Sequence, residues 1–143
     1  MPQKQLSFSL QDRRILTLLR RAKKPLSAYT LLDQLRPEGV RSPPTVYRAL
    51  DRLLACGVVH RLESLNAFMA CAYHADDGAK GHLSAFAICA TCGRAWEIHD
   101  PTLARTIKKI GKKFFTQPDQ EVIEISGLCA SCEKKQKNCE DTP

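Results

Sequence analysis

Cys89-x-x-Cys92 and Cys129-x-x-Cys132 are the residues of this sequence whose types and spacing most plainly carry chemistry. Two thiolates separated by two residues grip one side of a tetrahedral ion, and a second such pair closes it. Four sulfurs leave no position open for water, so the pattern predicts a structural zinc rather than a catalytic one. The long gap between the pairs leaves room for a helix and a strand. A second set of ligand types is scattered along the chain: His60, Cys71, His82 and Glu97. Together they offer one sulfur, two imidazoles and one carboxylate, and a thiolate in such a set favours zinc over the harder Fe(II) or Mn(II). Cys56 reads as a small buried hydrophobe, while His74, His99 and Cys139 have no fixed role. No nucleophile–base pairing is evident, so the chain does not read as an enzyme.

A different chemistry resides in the first half. Within "SPPTVYRALDRLLACG", Thr45, Arg48 and Arg52 fall opposite the apolar positions, with Tyr47 on the flank. Arginines on the exposed face of a short helix can reach guanine edges and phosphates in a major groove. Tyr29, Asp33 and Arg36 form a second exposed row, either a contact surface or a solvated face with one local ion pair.

These residues must be positioned by elements that the pattern also predicts. Ser9 is placed to cap a helix over about 10–23, with Asp12 completing a capping box and Leu10, Ile15, Leu18 and Leu19 as its apolar stripe. Ser27 opens a second helix to about Arg36, with Ala28, Leu31, Leu32 and Leu35 at helical spacing. Ser42, Pro43 and Pro44 start a third, which Gly57 stops; Val46, Ala49, Leu50, Leu53 and Leu54 are its buried face. Two β-prone runs, "VVHRLES" and "AFMACAYH", follow around Ser64 and Asn66 and place His60 and Cys71 at strand ends. Three helices and a two-stranded ribbon make a winged helix-turn-helix. Further on come strands at "SAFAI" and "RAWEI" and a helix opened by Asp100 and Pro101. Its stripe is Leu103, Ile107, Ile110 and Phe114, and the strand "EVIEISG" leads to the last cysteine pair. The tail "EKKQKNCEDTP" is expected to be mobile. The fold class is therefore α+β. A winged-helix DNA-binding domain spans 1–73, a hinge 74–82, and an α/β dimerisation domain with its four-cysteine zinc site 83–143.

The bulk properties agree with two joined functions. The chain has 143 residues, a net charge of +7 and seven cysteines. Residues 1–61 carry 12 Lys/Arg against 4 Asp/Glu, whereas 62–143 carry 10 against 11. A basic half suits a polyanion. No apolar run reaches the length of about 18 residues needed for a membrane span, and the N-terminus lacks the features of a signal peptide. The expectation is a cytoplasmic protein whose thiols bind metal rather than forming disulfides.

"SAYTLLDQL", "PPTVYRALDRLLACGVVHRLES" and "ICATCGRAWEI" together resemble the ferric uptake regulator family of metal-sensing bacterial repressors, over roughly residues 9–132. The resemblance implies that Tyr47 and Arg48 sit at DNA and that Tyr29 is an accessory contact. It also implies that the metal half forms a homodimer, so that two winged helices meet the half-sites of a palindromic operator. In the zinc-sensing branch, which the chain resembles most, the regulatory site matches His60, Cys71, His82 and Glu97 in order. That gives two zinc ions per chain, one structural and one regulatory. The dense histidine cluster of iron, manganese and peroxide sensors is absent before Cys89; the segment reads "HADDGAKGHLSAF" instead, where His74 could compete as a ligand. The implied function is zinc-dependent repression of metal-uptake genes, with Asp33 and Arg36 as a candidate contact between dimers. The alternatives are an iron, manganese or peroxide sensor, and a zinc-stabilised protein-interaction adaptor that does not bind DNA.

Overall fold

The computed structural model describes residues 7–72, 83–118 and 120–140. The expected hinge at 74–82, with His74 and His82, lies outside the described residues. The chain divides into two compact units, Met1–His74 and Ala75–Pro143.

In the first unit, α1 spans Leu10–Arg21 and opens on a complete capping box. The Ser9 hydroxyl accepts from the Asp12 amide at 3.2 Å, and the Ser9 amide donates back to Asp12 Oδ2 at 3.0 Å. The helix stops short of the expected Lys23 because Ala22 is already extended on the approach to Pro25. Its buried positions are Asp12, Ile15, Leu16 and Leu19. Leu10, expected in the stripe, is 61% exposed, since it lies on the far side of the helix from Ile15 and Leu19.

The second helix, α2 (Ala28–Leu35), is capped by Ser27 and buries the four apolar residues that its periodicity selects. A 3-10 turn, Arg36–Glu38, and left-handed Gly39 (φ 90°) lead onward to α3 (Pro43–Ala55). Ser42 precedes α3 without capping it through its side chain; its carbonyl accepts the Thr45 amide instead. Val46, Ala49, Leu50 and Leu53 are buried against α1 and α2. Leu54 is only half-buried, and so is Cys56, against the expectation of full burial.

Gly57 (φ 73°) turns the chain into β1 (Val59–Leu62). This strand pairs antiparallel with β2 (Ala67–Ala70) through a tight connection in which Asn66 adopts φ 45°. His60 is the second residue of β1 rather than its end. Leu26 pairs with Phe68 through two backbone hydrogen bonds of 2.8 and 2.9 Å, adding a short third strand to the wing.

The second unit holds a three-stranded sheet in the order β4-β3-β5. β3 (Ser84–Cys89) is central, antiparallel to β4 (Ala95–Ile98) and parallel to β5 (Val122–Gly127). Parallel neighbours need a long crossover, and β4 together with α4 (Pro101–Phe114) supplies it. Asp100 caps α4 by accepting the amides of Thr102 and Leu103. No residue of α4 is buried, and Ile110 and Phe114 of its apolar stripe are 45% and 75% exposed. The segment from Ala130 to Glu140 forms a helix, α5, in place of the expected mobile tail. It lacks apolar periodicity, but it is rich in good helix formers and carries a Glu133–Lys137 ion pair one turn apart. Among the described residues, no helix is long and apolar enough to cross a membrane.

Candidate metal centre and nucleic-acid face

Parallel pairing of β3 with β5 creates the metal centre. Cys89 is the last residue of β3 and lies opposite Gly127 at the end of β5, so both cysteine pairs emerge from the same end of the sheet. After Cys89 the chain folds into a tight knuckle. The Gly93 amide donates to the Cys89 carbonyl at 2.9 Å, the Cys89 amide to Arg94 O at 2.8 Å, and Gly93 takes φ 72°. The second pair straddles the start of α5, with Cys129 just before it and Cys132 in its first turn.

The sulfurs of Cys89 and Cys132 are 3.8 Å apart, as are those of Cys92 and Cys129. All four lie within 4.8 Å of one another. A tetrahedral ion with metal–sulfur bonds of about 2.3 Å holds its ligands about 3.8 Å apart, so the cage fits zinc in size as well as in ligand type. Its charge pattern agrees. Backbone amides of Cys92 and then Cys129, the latter 3.4 Å from the sulfur, lower the Cys89 thiol to about 6. Cys132 is pushed up to about 12 by its hydrogen bond with Cys129 first and by burial next. A divalent cation held by all four sulfurs favours the thiolate form of each.

The residues expected to form the second metal set are drawn from both units. His60 and Cys71 lie within the first unit, on one face of the wing hairpin, with ligand atoms within 4.8 Å of each other. His60 is buried, and Cys71 is held at the end of β2 by donating its amide to Val58 O at 2.9 Å. Glu97 stands on β4 of the second unit, opposite Phe86, and is half-buried. His82 lies outside the described residues. His99 and Cys139 are exposed.

On the outer side of the helix-turn-helix, Tyr29 is 64% exposed, Tyr47 is 41% exposed, Arg48 is exposed and Thr45 is half-buried beside it. Asp33 on α2 and Arg36 at the start of the following 3-10 turn form the local ion pair, 3.2 Å between Oδ1 and Nε, both exposed. Arg52 is on the same face of α3 as Arg48, but its guanidinium is already engaged. Nη2 donates to Asp12 Oδ1 at 2.7 Å, and Nε lies 3.1 and 3.2 Å from the two carboxylate oxygens.

Sequence reasoning missed this pairing, although a signal was present. Asp12 precedes Ile15, Leu16 and Leu19 by three, four and seven residues, which puts a carboxylate on the buried stripe of α1. Such a group needs a counter-charge. Burial raises the Asp12 pKa, but the Arg52 guanidinium and the amide and hydroxyl of Ser9 outweigh it and hold the carboxyl below its ordinary 3.8.

Residues 3–125 match the ferric uptake regulator family. The zinc uptake regulation protein of Escherichia coli (strain K12) is 38% identical over 131 residues, 91% of this chain and 75% of that protein. The Shigella flexneri protein of the same name matches equally. Among solved structures, a zinc uptake regulator complexed with zinc and DNA superposes with a TM-score of 0.80 at 37% identity, covering 91% of this chain and 85% of that one. Holo XcZur gives 0.76 at 41% identity, over 89% and 86%.

Proposed function

The chain belongs to the ferric uptake regulator family, and from that premise we propose that it is a zinc-responsive transcriptional repressor of zinc-uptake genes. It binds a palindromic DNA operator in the cytoplasm as a homodimer when zinc is bound. One observation carries the sensing half of this reading: His60 and Cys71 meet on one face of the wing, inside the DNA-binding unit itself. A zinc that only stabilised the second unit would require no ligands there. His82 and Glu97 complete the regulatory site, and Cys89, Cys92, Cys129 and Cys132 hold the structural ion, which gives two zinc ions per chain. The segment 74–82 is the hinge between a DNA-binding domain and a dimerisation domain. Zinc at the regulatory site favours the DNA-competent arrangement, so by linkage DNA tightens zinc binding in return. A thiolate ligand selects zinc over iron or manganese.

Tyr29, Thr45, Tyr47, Arg48 and Arg52 form the DNA face. Arg48 and Tyr47 make the direct contacts, and Arg52 contributes through its place in α3. Asp33 and Arg36, exposed at the C-terminal end of α2 and just beyond it, exchange partners between neighbouring dimers on tandem operators. Asp33→Arg then lowers cooperativity and spares single-dimer binding; unchanged cooperativity removes that contact.

The experiment that tests the function is operator binding by fluorescence anisotropy across a buffered zinc series and a salt series. The expected result is zinc-dependent affinity that falls steeply with salt through counterion release. Cys71→Ser is expected to yield a folded dimer that keeps about one zinc and has lost the zinc response, because the closed four-thiolate site retains its ion. Affinity indifferent to salt favours an adaptor, and a wild-type response to Fe(II) or Mn(II) in place of zinc favours the other sensors.

A further inference from the structure

Asp12 of α1 is buried and paired with an arginine of α3. It is 2% exposed, and its partner is a guanidinium on the outer face of the helix read here as the DNA-reading one. The Arg52 side chain is 51% exposed, yet both Nε and Nη2 point at the carboxylate. Resting on the DNA-binding reading above, we infer that Asp12 is a positioning residue for DNA recognition. It holds Arg52 as a strut between α1 and α3, so that Arg52 sets the roll of α3 and does not neutralise a phosphate.

A two-nitrogen grip on one carboxylate fixes the plane of the guanidinium, not merely its distance. The carboxylate is itself fixed, because the Ser9 amide holds Oδ2 and Asp12 lies in the first turn of α1. Rotation of α3 about its axis therefore strains the grip. Thr45 and Arg48 precede Arg52 by seven and four residues, on the same face, so a change in roll moves both. Base edges are read by contacts that tolerate little displacement, whereas phosphate attraction tolerates much. Loss of the strut therefore costs discrimination before it costs general affinity. Electrostatically, the pair sums to zero charge. An arginine neutralised within the protein displaces no counterion from DNA and adds nothing to the salt dependence. Arg52 thus differs from Arg48 in what it contributes, despite sharing its face.

The test uses full-length, zinc-loaded protein and a DNA operator selected by the wild type from random sequence, beside a non-operator duplex, each titrated over a salt series. Arg52→Met retains most of the stem and removes the charge. It is expected to leave the salt slope unchanged, since Arg52 makes no phosphate contact, and to weaken operator binding about tenfold relative to non-operator binding, within the range that one good base contact supplies. Arg52→Lys keeps the charge without the fork and should lose the same discrimination. Asp12→Asn releases the guanidinium to the phosphates. It should steepen the slope by about 0.9 per protomer and strengthen non-operator binding. Thermal melting and zinc content accompany each variant; should Arg52→Met fail to fold because it leaves the buried Asp12 carboxylate without its counter-charge, Arg52→Lys, which keeps the charge, and Asp12→Asn, which removes the need for it, decide the matter.

The inference is overturned if Arg52→Met flattens the slope by about 0.9 per protomer and weakens both duplexes alike, the behaviour of a phosphate contact. Full discrimination by Arg52→Lys overturns it too, as does a folded Asp12→Asn protein with slope and discrimination unaltered. A wild type that selects no DNA sinks the repressor reading itself, and the role of Asp12 with it. Wild-type selection combined with any of the overturning patterns removes the role of Asp12 alone.

Discussion

Arg48 and Arg52 lie one turn apart on α3, and their surroundings give them different work. Arg48 is exposed, and no intramolecular ion pair with it is seen among the described residues. Arg52 is committed to a carboxylate 40 positions earlier in the chain. Arg48→Ala is therefore expected to weaken operator binding by about 1–3 kcal/mol, the contribution of a base-reading arginine. Zinc content and melting temperature should stay where they are. An operator titration that superposes on the wild type takes Arg48 off the interface. The same two residues show what a sequence discloses at this scale. Exposure of Arg48 follows from its place opposite Val46, Ala49, Leu50 and Leu53, a purely local matter of helical period. The engagement of Arg52 depends on how α1 crosses α3, which no local pattern encodes, although Asp12 on a buried stripe marks where a partner is needed.

At the scale of elements, the metal cage depends on two strand ends, and the wing on one hairpin. The four cysteines were legible because each pair is a local motif whose chemistry needs only two intervening residues. The helix α5 was not, because "SCEKKQKNCE" has no apolar stripe; its order comes from good helix formers and from cysteines anchored at its start. The stripe of α1 was legible in part, since Leu10 shares composition but not phase with Ile15 and Leu19. Removal of one cage thiolate uncouples the start of α5 from the end of β3. Cys92→Ser or Cys132→Ser should therefore yield insoluble or monomeric protein without a structural ion, because the binding energy of such a site is folding energy. His82→Ala, like Cys71→Ser, is expected to leave the fold intact. If size-exclusion chromatography and circular dichroism show the two kinds of variant equally damaged, the division into structural and regulatory ions fails.

At the scale of the whole molecule, the second unit shows more apolar surface than one chain can cover. Ile110 and Phe114 on α4, Trp96 on β4 and Ile125 on β5 are all 45% exposed or more. Units this small commonly complete a core by pairing, which supports the proposed homodimer. Ile110→Asp or Phe114→Asp should shift the protein to monomer in sedimentation equilibrium while the four-sulfur cage keeps its zinc. A dimer unmoved by both substitutions places the interface elsewhere. The parallel pairing of β3 with β5 has a further consequence, which concerns the order in which the chain is made. During synthesis the winged unit emerges whole and can fold through contacts among neighbouring helices. The second unit cannot close at that stage. Its central strand and first cysteine pair wait, solvent-exposed, until β5 and Cys132 have left the ribosome tunnel. For that interval Cys89 and Cys92 are a dithiol without the second pair, and the cage can close only once Cys129 and Cys132 have followed.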